Sequence, residues 1–345
     1  MSDSTENVML ISPQRRGERK DFAEKKGEKR VFWQALGVFS AFSAPLRWMS
    51  LTRFAAILFI NYQIFSNVLP AASTCTQQSQ NPSPMVEHSR AHPRLKQETP
   101  LGRREKLELG TLFFPAKLKP KSPTPLFIHF HGGNWLPEVA AEKAGKTAVI
   151  SIQIGAGSSA YARPFADAQL FTRLIAEAET KAGVKFSSIS LTSWSAGYGA
   201  VRAILKVPEH YAGVNKVLLI DGLHAGYVGG KPGTGKSLES ELEAGDLDIF
   251  LKFARDAVAG RKRMIITHSE IFPGTYASTT ETADWLLAQL ALKRTAVVKW
   301  GPMQTQQLSE AKAGRFWLMG FAGNSAPDHV DQLHSLPEYL NWLRK

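Results

Sequence analysis

From Lys106 onward the chain alternates short apolar runs with longer segments of helical spacing, and that alternation leaves few architectures open. LFIHF (126–130), AVISIQI (148–154), SISLTSW (188–194), KVLLID (216–221) and RMIITH (263–268) are rich in β-branched or aromatic residues and bounded by turn residues. Between them lie FADAQLFTRLIAEAETKAG, GYGAVRAILK, DIFLKFARDAVAG and TTETADWLLAQLAL, each with helical periodicity. FWLMGFAG (316–323) reads as one more strand, and VDQLHSLPEYLNWL as the closing helix. Strands that alternate with helices are joined by right-handed crossovers, so the pattern predicts an α/β fold with a mainly parallel central sheet and helices on both faces. Charge is scarce in the strand runs, as expected where both faces of a sheet are covered. Ligands in such sheets bind beyond the carboxyl ends of the strands, so the chemistry should follow each run directly.

The N-terminal third reads differently. Residues 1–48 form a polar extension in which Arg15, Arg16, Arg19, Lys20, Lys25, Lys26, Lys29 and Arg30 are interleaved with Glu18, Asp21, Glu24 and Glu28. A mixed-sign run of this kind is a solvated tail, so the formal charge of +12 does not point to nucleic acid. Residues 49–73 have the layout of a secretory signal: Arg53, an apolar stretch, then Ala71 and Ser73 at the positions of a cleavage site. Asn61, Gln63 and Asn67 interrupt the stretch and make it a poor membrane span. The expectation is an exported protein, periplasmic or secreted, that starts at Met49, with a membrane anchor through residues 49–73 as the alternative. Native peptides from residues 1–48 would refute that start. Residues 74–104, rich in Gln, Ser, Pro and Arg, read as a linker, and 105–345 as the catalytic domain. Cys75 is the sole cysteine, which excludes an internal disulfide and any cysteine-based zinc site.

Ser193-Trp194-Ser195-Ala196-Gly197 follows one strand run and precedes a helical segment. It resembles the nucleophile elbow of the α/β-hydrolase family, with Ser193 in place of the usual first glycine. His129-Phe130-His131-Gly132-Gly133-Asn134-Trp135, at the end of an earlier strand, resembles that family's HGG oxyanion loop. The resemblance spans roughly residues 105–345 and implies a serine hydrolase acting on small carboxylic esters through an acyl-enzyme, without cofactor or metal. It implies Ser195 as nucleophile and His329, in Asp328-His329-Val330, as base after the last strand, with His334 as competitor. The acid is either Asp221, at the tip of KVLLID, or Glu270, after the next strand; Asp221 is favoured as an aspartate standing directly at a strand end. The implied oxyanion donors are the N–H of Gly133 or Asn134 and that of Ala196. His129 and His131 could form a metal pair, but glycines follow where a third ligand would stand, so bracing of the loop is the expectation.

Two rivals remain. One is a hydrolase-fold protein that binds without turnover. The other is a nucleotide-binding protein, since Gly230-Lys231-Pro232-Gly233-Thr234-Gly235-Lys236-Ser237 fits the P-loop pattern. Its context argues against it: the preceding strand ends at Asp221, and the acidic LESELE follows. A flexible loop is the expectation there.

Overall fold

The computed structural model describes residues 94–119, 123–145, 147–230, 232 and 241–345. The basic extension, the signal-like segment with Cys75, and most of the linker lie outside them. So does the P-loop-like run apart from Gly230 and Pro232.

Among the described residues ten strands form one sheet: β1 (Gly102–Lys106), β2 (Thr111–Pro115), β3 (Thr124–Phe130), β4 (Ala148–Ile152), β5 (Phe186–Trp194), β6 (Val214–Ile220), β7 (Arg263–His268), β8 (Thr295–Trp300), β9 (Gln306–Ala313) and β10 (Phe316–Phe321). Their order is β1-β2-β4-β3-β5-β6-β7-β10-β9-β8. The central strands from β4 to β10 are parallel to one another. Each edge is closed by antiparallel strands, β1 and β2 on one side, β9 and β8 on the other. The sheet is therefore mainly parallel, as expected, with antiparallel borders that the sequence pattern did not announce. The first strand begins at Gly102, inside the segment expected as linker. Upstream of it, Arg94 Nε donates to Asp331 Oδ1 at 2.7 Å, so the chain is already docked there.

The helices are α1 (Trp135–Ala144), α2 (Ser158–Ala162), α3 (Leu170–Ala182), α4 (Tyr198–Leu205), α5 (Pro208–Gly213), α6 (Ala244–Val258), α7 (Thr279–Gln289), α8 (Ala326–His334) and α9 (Leu336–Arg344). The two-residue period of the strands sorts their side chains between two cores. Phe127, Leu218, Ile265 and Met319 pack against Leu136 and Ala140 of α1 and against Leu336, Tyr339 and Leu340 of α9. Their neighbours Ile128, Val217, Ile266 and Leu318 pack on the opposite face with Leu174 of α3, Val201 of α4, Phe250 of α6 and Leu286 of α7. A one-residue slip of any central strand would exchange the two sets. Because each buried Leu or Ile contributes roughly 1.5–3 kcal/mol, the register is strongly held.

One expectation needs correction. The run 330–343 is not a single helix but the end of α8 and nearly all of α9, parted at Ser335. Pro337 explains the break: it has no N–H to continue a helical ladder and is accommodated in the first turn of a new helix.

Candidate active site

Ser195 stands at the carboxyl end of β5, in the turn into α4, with a φ of +46°. A serine in that region is strained, and such strain persists only where the surroundings enforce it. Here they do so by close packing. A Cβ on Gly197 would lie 2.3 Å from Phe130 O, and one on Gly222 would lie 2.5 Å from Ser195 O. Gly197 was expected from the elbow pattern; Gly222, from the adjacent strand end, was not. Ser193 is fully buried, and its Oγ makes no hydrogen bond.

Asp221 follows β6 directly and is buried. Its Oδ2 accepts from His329 Nδ1 at 2.7 Å and from Ser269 Oγ at 2.6 Å. Its Oδ1 accepts from Ser269 N–H and from Thr279 Oγ1, each at 2.8 Å. Burial alone would raise the carboxyl pKa, but the bonds from His329, Ser269 and Thr279 outweigh it and hold the group below its ordinary range. An ionised carboxylate only accepts, so Nδ1 of His329 carries a proton, and in the neutral ring the lone pair is then on Nε2.

His329 is carried by the first turns of α8, where Ser325 N–H and Oγ–H both bond Asp328 Oδ2, at 2.9 and 2.7 Å. Trp194, the residue before Ser195, ties this helix to the elbow: its Nε1 donates to His329 O at 3.0 Å, and its ring lies 4.6 Å from the imidazole. On its other side Trp194 stacks with His131 at 5.0 Å. His329 is thus bonded to Asp221 and held beside Trp194, the neighbour of Ser195, beyond the carboxyl ends of the central strands β5 and β6. Glu270 does not join them; its Oε2 accepts from Gly323 N–H at 3.1 Å. His334 faces elsewhere, its Nδ1 taking Leu95 N–H at 3.1 Å and its ring packed against Trp135.

In the glycine loop after β3, His131 N–H donates to Ile152 O, and Gly133 O accepts from Leu136 N–H. Among the described residues, the N–H groups of Gly132, Gly133, Asn134 and Ala196 have no backbone partner. His131 and Gly132 have φ of +72° and +101°, which turns the chain sharply off the strand. Gly133 and Asn134 are exposed and do not line the cavity beside Ser195, whereas Ala196 and His131 do. His131 braces the loop, its Nδ1 meeting Tyr161 OH at 2.8 Å, while His129 ties β3 to β5, its Nδ1 meeting Thr192 Oγ1 at 2.8 Å. Burial pushes His129 down to about 3, so it is a neutral structural group. No cluster that could hold a metal ion occurs among the described residues.

The cavity is about 490 Å³ and is lined by Ser195, His131, Tyr198, His224 and Tyr276 among others. Of the aromatics next to the two motifs, Tyr198 lines it and Trp194 and Trp135 do not. His224, Tyr276, Ser269 and Thr279 escaped the sequence reading, since they lie on loops or a helix start outside any motif. As for the P-loop-like run, β6 ends at Ile220, well before Gly230, and no strand leads into it among the described residues. Nor is any helix of the described residues long and apolar enough to cross a membrane.

No protein-family model matches the chain, and no curated protein matches it in sequence. Among solved structures it is similar to an arylesterase at 13% identity, covering 83% of this chain and 97% of that one, with a TM-score of 0.38. A soluble variant of monoglyceride lipase from Saccharomyces cerevisiae, solved with a substrate analogue, matches at 9% identity, 72% and 97% coverage and a TM-score of 0.37. A carboxylesterase from Bacillus subtilis matches at 11% identity, 71% and 90% coverage and a TM-score of 0.35.

Proposed function

We propose that this chain, which has the α/β-hydrolase fold, is a serine hydrolase that cleaves carboxylic esters through an acyl-enzyme. The observation that carries the reading is the 2.7 Å bond between His329 Nδ1 and the buried Asp221 carboxylate, beside a serine held at positive φ. A structural histidine does not need a carboxylate with three further donors behind it, and a surface serine does not need a strained turn.

In the proposed reaction, His329 Nε2 takes the Ser195 proton as Oγ attacks the ester carbonyl. The tetrahedral oxyanion is held by the N–H of Ala196 and one from the glycine loop, at Gly133 or Asn134. The C–O bond then breaks, and the alcohol leaves with the proton from His329. Water, deprotonated by the same imidazole, attacks the acyl-enzyme and releases the acid and free Ser195. Asp221 keeps the imidazole oriented and stabilises its charged form without itself taking the proton. The exposed Gly133 and Asn134 would have to face the cavity when an ester is bound. Residues 49–73 are read as an export signal, which would place this activity outside the cytoplasm.

The test is hydrolysis of p-nitrophenyl acetate by protein beginning near residue 74. Wild type is expected to turn it over, and Ser195→Ala to lose at least about 10⁴-fold in kcat. Equal activity in the variant would overturn the assignment.

A further inference from the structure

The cavity next to Ser195 has an acceptor for which the ester reaction has no use. His224 lies three residues beyond Asp221 on the loop leaving β6 and contributes to the cavity wall. Its Nδ1 lies 2.9 Å from Ala277 O. A carbonyl oxygen can only accept, so Nδ1 carries the proton. Burial lowers the pKa of the ring and keeps it neutral, which leaves an unshared pair on Nε2. Among the described residues that nitrogen makes no hydrogen bond and it is not fully buried, and the residue that carries it lines the cavity. Two tyrosine rings fix the imidazole edge-on, Tyr198 at 5.7 Å and Tyr276 at 5.0 Å. Ser158 and Ser159 add further polar groups to the wall.

A hydrocarbon chain filling this space would strip water from Nε2 and return nothing, the situation in which a site built to hydrogen-bond discriminates against the analogue lacking the partner. A group bearing an O–H or N–H would instead satisfy a rigid acceptor that loses no freedom on binding. We infer that His224 is a specificity-determining residue that accepts a hydrogen bond from the substrate, and that the preferred esters carry a hydroxyl or N–H on the part occupying this cavity rather than a plain alkyl chain. This rests on the hydrolase reading of Ser195.

The experiment measures kcat/KM on matched pairs that differ by hydroxylation. In the acyl arm, p-nitrophenyl 3-hydroxybutanoate is compared with p-nitrophenyl butanoate; in the alcohol arm, glyceryl monoacetate is compared with propyl acetate. Wild type is expected to prefer the hydroxylated member of at least one arm by about 10-fold or more. His224→Phe keeps a ring but removes the acceptor and should bring that ratio close to one. His224→Gln keeps an acceptor oxygen and should restore part of it. Ester turnover without hydroxyl preference in either arm would overturn the inference while leaving the hydrolase reading intact, as would a preference unchanged in His224→Phe. Absence of turnover on all four esters, or turnover that persists in Ser195→Ala, would instead overturn the reading beneath it. If His224→Phe does not fold, the wild-type ratios and His224→Gln still decide the matter.

Discussion

Asp221 and Glu270 both stand at strand ends, and only their surroundings separate them. Four donors converge on Asp221, from His329, from Thr279 and twice from Ser269. The Glu270 side chain instead holds the Gly323 amide. Asn at position 221 would turn an NH₂ toward donors that need an acceptor, and it would no longer hold the Nδ1–H tautomer of His329. Asp221→Asn is therefore expected to lower kcat on p-nitrophenyl acetate by roughly 10³–10⁴-fold with a much smaller change in KM, whereas Glu270→Gln should change kcat little. The reverse order in steady-state kinetics would move the acid to Glu270. The sequence narrowed the acid to two candidates and favoured Asp221 as an aspartate directly at a strand end, but which carboxylate meets His329 depended on where the loops after the two strand tips are placed.

At the scale of elements, the caps of two helices position the site. Ser278 opens α7: its Oγ accepts Glu281 N–H at 3.1 Å while Glu281 Oε2 accepts Ser278 N–H at 2.7 Å. This capping box is made by four consecutive residues, Ser278-Thr279-Thr280-Glu281, but what it positions lies far away in sequence. Thr279, the first residue of the helix, is the one that reaches Asp221, 58 positions back along the chain. Ser278→Ala should cost about 1 kcal/mol in urea unfolding, and it should slow ester turnover as well, because it loosens a donor to the acid. Unchanged unfolding would show that the cap contributes nothing. The split between α8 and α9 follows the same local logic, since Pro337 was in plain view within the expected helix.

For the molecule as a whole, the buried histidines govern behaviour in acid. Burial, with the nearby Arg294 charge, takes His268 from its ordinary 6.5 to about 4, and burial takes His129 to about 3. Between pH 6.5 and these lower values the unfolded chain binds protons that the folded chain refuses, so stability falls as pH falls through that window. His268 alone is worth about 3 kcal/mol over its range. Asp221, held below its ordinary 3.8, adds a further loss only at lower pH. The urea midpoint is therefore expected to drop markedly from pH 7 to pH 4.5, and His268→Gln should make that slope shallower. A midpoint flat across this range would show that both histidines are protonated in the folded chain.

The sequence by itself determined the alternation of the six central strands with helices and the elbow pattern around Ser195. Each depends on periodicity, residue shape or backbone freedom within a few neighbouring positions. Only the tertiary structure decided that Asp221 rather than Glu270 meets His329, that antiparallel strands close both edges of the sheet, and that His224 lines the space beside Ser195. Those outcomes depend on where loops of unrelated sequence come together, and no local propensity encodes the meeting of side chains brought in from separate strands.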